Sequence, residues 1–233
     1  MRAAAPFDAL SLTGRTRAHV REIDSPRATV HLGVVRPLLE MRRAALRDGI
    51  DLGVASSFRD FDTQVRIWNE KWTGKRELKD RASRVLEAKR LNSAQRVAAI
   101  LAWSAPPGAS RHHWGTDIDV FDRAAIREGY RLRLEPEEYA AGGPFASLSA
   151  WLDLHMHRFE FYRPYRIDRG GVMPEPWHLS HAPTAREASR RLRLATVRAA
   201  IESAPLEGRE ALVKALPRVY ARYVRSVDSP PAT

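Results

Sequence analysis

The stretch Ser110–Asp122, SRHHWGTDIDVFD, decides how the rest of the chain is read. Its second half, TDIDVFD, alternates polar and apolar residues, the pattern of a strand with one buried face. Its first half carries two adjacent histidines and closes on Gly115, a turn signal. A loop presenting His112 and a strand returning Asp119 bring an imidazole and a carboxylate to one point. Zinc accepts both donors at roughly 2.0–2.2 Å, and a catalytic zinc takes three protein ligands plus one open position. The third ligand is offered by EPWH, Glu175–His178, a short extended segment. There His178 binds metal while Glu175 faces water, the division of labour that metal-assisted hydrolysis requires. An E-x-x-H pair alone is common by chance, and the chain has no H-E-x-x-H helix; the signal is the combination.

The flanking segments mix helices and strands without a regular strand–helix repeat, which predicts an α+β fold. VVRPLLEMRRAALRDGI has apolar residues at helical spacing and ends on Gly49. IDLGVASSF reads as a strand. DFDTQVRIWNEKW reads as a helix capped by Asp60 or Asp62. LKDRASRVLEAKRLNSAQRVAAILAW reads as one charged helix that ends before Pro106–Gly108. GGPFASLSAWLDLHMHRF predicts a further helix, and EFYRPY a strand. From Thr184 the chain changes character. Two amphipathic helices, split at Pro205–Gly208, are expected, with DSPPAT as a frayed tail. Their apolar faces (Leu192, Leu194, Val197, Ile201; Leu212, Leu216, Tyr220) are expected to cap the domain. The expected division is therefore 1–183 and a basic helical extension, 184–233.

The whole chain sets wider bounds. Its 233 residues, 44% hydrophobic, are enough for one domain with an appendage. A net charge of +11 favours polyanions such as nucleic acid, anionic lipid or a cell-wall polymer, without choosing among them. The absence of cysteine excludes disulfides, thiolate zinc sites and a cysteine nucleophile. No apolar run is long enough to span a membrane. MRAAAPFDALSL is a poor signal peptide, because Pro6 and Asp8 interrupt it. Of the eight histidines, His19, His31, His155 and His157 carry no company that suggests chemistry, and His113 is expected to point away from the ligands.

With these motifs on the page, the chain resembles the LAS-type zinc peptidases, and within them the VanY-like D-alanyl-D-alanine carboxypeptidases. Ser110, His112, Gly115 and Asp119 fall on that family's S-x-H-x-x-G-x-A-x-D pattern, and Glu175 and His178 on its E-x-x-H. SSFRDFDTQ matches its upstream strand end through Ser56, Arg59 and Gln64. The three motifs stand in order across roughly Ile50 to His181. The resemblance implies a small, mainly antiparallel sheet flanked by helices, of the hedgehog and D-Ala-D-Ala peptidase type. It implies one Zn2+ per chain on His112, Asp119 and His178, Glu175 as general base, and Arg59 polarising the scissile carbonyl. Gln64, Ser110 and Ser56 are then expected at the substrate, with Trp177 as a pocket wall. The implied substrate is peptidoglycan or a muropeptide. The implied place is the periplasm or cell envelope, with the cytoplasm left open by the weak leader. A monomer is expected. Two departures stand out: SSFR replaces S-G-Y-R, and Asp117 replaces the family's alanine, either as partner to a ligand or as a competing one. An endopeptidase, or a zinc-holding binding module without catalysis, stays open beside the carboxypeptidase. A nucleic-acid binder has no motif behind it.

Overall fold

A computed structural model describes residues 7–229. The first twelve residues, MRAAAPFDALSL, thus lie half outside the described part; from Ala9 to Leu12 they form a short helix, α1, capped by Asp8. A hairpin follows, β1 (Val20–Asp24) and β2 (Arg27–His31), then α2 (Val35–Arg47), β3 (Leu52–Ser56) and α3 (Phe61–Thr73). A second hairpin, β4 (Leu78–Lys79) and β5 (Val85–Leu86), leads to α4 (Ser93–Trp103) and β6 (Asp117–Asp122). After α5 (Pro136–Tyr139) and α6 (Ala146–His155) come β7 (Phe161–Tyr162) and β8 (His178–His181). Helices α7 (Ala182–Arg191), α8 (Leu194–Glu202) and α9 (Arg209–Val219) complete the chain, the last running into a π-helical stretch, Tyr220–Arg225. None of these helices is long and apolar enough to cross a membrane.

The fold is α+β, with small antiparallel sheets flanked by helices. Its main sheet has the strand order β3-β6-β8-β7, antiparallel throughout. The alternation in TDIDVFD explains why β6 sits inside it. Ile118 and Val120 point to one face and pack with Leu179, Leu38, Met41 and Leu148. Asp117 and Asp119 point to the other. Gly115 makes the approach to β6 possible: its φ is +67°, and a Cβ there would lie 2.7 Å from the backbone nitrogen of His31.

Three sequence expectations are corrected. Residues 78–103 do not form one helix. The carboxylate of Asp80 accepts hydrogen bonds from the backbone of Ala82 and Arg84 and turns the chain into the β4–β5 hairpin. The helix starts afresh at Ser93, where Asn92 and Gln95 form a capping box. Downstream of Thr184 the expected first helix is two, broken at Leu192–Arg193. Leu192, Val197, Ile201, Leu212 and Leu216 are buried in one cluster with Phe61, Trp68, Trp72, Ile100 and Trp114, so these helices share a core with α3 and α4. Asp228, placed in a frayed tail by its sequence, is buried. It accepts hydrogen bonds from the backbone of Arg166 and from the guanidinium of Arg169. The rest of that tail, from Pro230, lies outside the described residues.

Candidate active site

The strand register builds the centre of the site. Asp119 on β6 pairs directly with His178 on β8, and Asp117 with Ser180. Cross-strand partners present their side chains on one face, so carboxylate and imidazole meet without any loop contribution. His112 arrives from the single 3-10 turn Arg111–Trp114 that precedes β6. One donor atom each from His112, Asp119 and His178 lie within 4.8 Å of one another, all three residues buried. The imidazole orientations are set from behind. His112 Nδ1 lies 2.9 Å from the carbonyl of Ser57, which leaves Nε2 facing Asp119 at 3.3 Å. His178 Nε2 lies 3.0 Å from Asp117 Oδ1, which leaves Nδ1 facing Asp119 at 3.2 Å and Glu175 at 3.0 Å.

This donor set fits a cation. Asp119 Oδ1 is buried and makes no hydrogen bond, although His178 Nδ1 is only 3.2 Å away. Buried carboxylate oxygens are almost always satisfied, so an orphan on a carboxylate set between two imidazoles marks a missing partner of positive charge. Two nitrogens and one oxygen are a borderline-soft set, better suited to zinc than to magnesium or calcium. Burial alone would raise the pKa of Asp119, but His112 and His178 pull it well below the usual carboxylate range. Burial alone would likewise lower His178; the carboxylates of Asp117, Asp119 and Glu175 reverse this and hold it well above its ordinary value.

The family model for the VanY D-alanyl-D-alanine carboxypeptidases matches residues 27–184, the segment that holds this whole constellation. The chain belongs to that family. Among its relatives, an uncharacterized protein of Haemophilus influenzae is 36% identical over 118 residues, covering 50% of this chain and 90% of that protein. A D-alanyl-D-alanine carboxypeptidase of Enterococcus faecalis is 33% identical over 144 residues, 60% of this chain and 44% of that protein. The solved structure of VanYB in complex with D-alanine-D-alanine shares the fold, with a TM-score of 0.51 at 24% identity, covering 83% of this chain and 87% of that one. A mutant of the vancomycin resistance D,D-pentapeptidase VanY in complex with Zn(II) gives 0.50 at 25% identity, covering 83% and 88%.

The family's motif residues do not all stand on the cleft. His112, Asp119, His178, Glu175, Arg59, Ser110 and Trp177 line it. Trp177 is mostly core, 5% exposed, with its ring against Tyr139. Ser110 is buried beside His112 at the cleft wall. Ser56 and Gln64, expected at the substrate, are placed behind Arg59 instead. Arg59 donates to Gln64 Oε1 at 2.9 Å and to Ser56 Oγ at 3.0 Å. Gln64 is fully buried, and its amide nitrogen donates to the carbonyl of Ala105 at 2.7 Å, so no amide group is left to face a ligand. His113 points away, as expected: Nδ1 lies 2.6 Å from the carbonyl of Arg59, and Nε2 accepts from the backbone of Gly108.

Asp117 backs His178 in this geometry. Its Oδ1 accepts from Arg111 Nε at 2.7 Å as well as facing His178, and its Oδ2 accepts from Thr116. Arg111 also donates to Ser180 and Tyr162, and is buried. Sequence reasoning passed over Arg111. The available signal was the departure at Asp117: a carboxylate placed where the family has alanine needs a cation, and Arg111 is the nearest in the motif. Tyr165 and Lys71, also on the cleft, carry no motif signal at all.

Proposed function

We propose that this chain is a zinc-dependent peptidase that hydrolyses peptidoglycan stem peptides as a D-alanyl-D-alanine carboxypeptidase. The observation that carries the reading is the meeting of His112, Asp119 and His178 with Glu175 Oε2 only 3.0 Å from the metal-facing nitrogen of His178. His112, Asp119 and His178 would hold one zinc ion. Zinc held there supplies Lewis acidity, polarising a carbonyl and acidifying water.

The chain's own residues do the rest. Glu175 accepts the proton of the attacking water as the new C–O bond forms at the scissile carbonyl. It then gives that proton to the amine as the C–N bond breaks. Arg59 donates to the carbonyl oxygen as charge collects there. Ser56 and Gln64 hold its guanidinium in place, which is the preorganisation such a donor needs. Asp117 and Arg111 fix the orientation of His178, the role an outer carboxylate plays behind a metal-binding imidazole. Ser110 supplies a hydroxyl at the wall beside His112, and Trp177 a rigid apolar edge. We read the helices beyond Thr184 as an extension packed on the peptidase domain.

The test is a defined pentapeptide muropeptide incubated with the zinc-loaded protein, the products being identified by mass. Release of a single terminal alanine is the expected result. Release of a larger fragment makes the enzyme an endopeptidase. No hydrolysis by a protein with zinc bound overturns the reading.

A further inference from the structure

The cleft holds more positive charge than the proposed chemistry uses. Arg59, Lys71, Arg76, Lys79, Arg111 and Arg133 all line it. Five of the six are engaged. Arg59 is held by Ser56 and Gln64, and Arg111 by Asp117. Arg76 pairs with Glu70, Lys79 with Glu77 and Glu135, and Arg133 with Glu135. Of the six, only the Lys71 side chain makes no hydrogen bond and no ion pair among the described residues. It is half-buried on α3, seven residues after Gln64 and four after Ile67, so it follows the helix face that lies against Arg59 and the cleft. A partly enclosed ammonium without a partner is unfavourable, and other cations nearby make it more so. Burial is the first cause that brings the Lys71 pKa down to about 8; Arg76, Arg59 and Lys79 add to it, while Glu175 opposes.

We propose that Lys71 is a substrate-recognition residue that pairs with a carboxylate of the bound peptide. The inference rests on the reading of the cleft as a peptidase site. A carboxylate gives the ammonium its missing counter-charge and is itself drawn by the surrounding cations. A peptide has two sources of such a group: its terminal carboxylate, and a carboxylate borne by a side chain or branch. Lys71→Met would remove the charge and keep an unbranched side chain of nearly the same length, whereas Lys71→Arg would keep the charge.

Binding of four matched peptides to the zinc-loaded Glu175→Gln protein, measured by calorimetry, tests the proposal. Two differ in a C-terminal acid against a C-terminal amide, and two in a side-chain carboxylate against its amide. With Lys71 present, one acid should bind at least about 10-fold more tightly than its amide, since a hydrogen bond to a charged group contributes about 1.5–3 kcal/mol. Lys71→Met in the same background should bring that ratio close to one, and Lys71→Arg should keep most of it. The pair that responds identifies the source of the carboxylate. An acid-to-amide ratio unchanged in Lys71→Met overturns the proposal, as does equal loss for acid and amide. If the Lys71-dependent ratio is present but the unsubstituted zinc-loaded protein cleaves none of the peptides, the recognition site stands and the peptidase reading falls. If no peptide binds, both fall.

Discussion

Two groups of buried histidines make opposite uses of the same side chain. His112 and His178 stand among carboxylates: Asp119 lies between them, with Asp117 behind His178 and Glu175 beside it. His19, His31 and His181 are as deeply enclosed, at 6%, 5% and 3% exposure. Their surroundings are mainly aromatic and backbone, with Thr184 Oγ1 2.9 Å from His181 Nδ1 and a single, half-exposed carboxylate, Glu160, 3.6 Å from His181 Nε2. Phe7 stacks on His31 and meets the edge of His19, and Phe161 meets His181. His31 Nδ1 accepts a hydrogen bond from the backbone of Gly33, which a protonated nitrogen cannot do. Burial, helped by His19 and His181, pushes His31 down to about 4. The contrast teaches that burial does not decide what an imidazole does. The number and aim of the carboxylates around it do.

The sharpest way to break the comparison is at the proposed base. Glu175→Gln keeps the shape and removes the proton acceptor, so kcat on the pentapeptide should fall by about 10²–10⁴-fold with zinc still bound. Near-normal turnover would take Glu175 out of the reaction. Next come the proposed ligands. His112→Ala or His178→Ala should lose zinc by elemental analysis, whereas His31→Ala should retain it; full zinc in either of the first two would dissolve the distinction between the groups. Behind the ligands, Asp117→Asn removes the charge that faces His178. Zinc affinity, measured by competition with a chromogenic chelator, should drop about 10- to 100-fold. If Asp117→Asn abolishes zinc and Asp119→Asn does not, the ligand is Asp117.

The smallest effect sharpens the second group. His31 titrates near 4 in the folded protein, below its ordinary 6.5. The unfolded chain therefore binds the proton first as pH falls. Stability from this group is complete above about pH 6.5 and is lost progressively toward pH 4, by about 1.4 kcal/mol per pH unit. Urea unfolding with chelator present, at intervals from pH 7 to 4, should show wild type losing stability more steeply than His31→Gln by about one proton. Equal slopes would mean that His31 is charged in the fold.

Much of the site was legible because its signals are local. Period-two alternation marked β6, and with it the shared face of Asp117 and Asp119. The spacing from His112 across Gly115 to Asp119, and the EPWH segment, named the donors before any contact was known. Other residues kept their roles hidden, because those roles come from contacts between elements and not from spacing. Gln64 looked like a ligand contact until its amide was found between Arg59 and Ala105. Asp117 stayed ambiguous until β8 placed His178 across from Asp119 and Arg111 folded back onto it. Residues 78–103 read as one helix because their composition suits one, and the turn at Asp80 prevailed through hydrogen bonds that composition does not display. The sequence by itself determined which atoms are available for metal and proton transfer, and in what order the strands carry them. Tertiary structure alone decided which of those atoms face the cleft, which stand behind it, and that Lys71 arrives there unpaired. Strand register and helix packing fix the positions of charges relative to one another, and no periodicity along the chain encodes that distance.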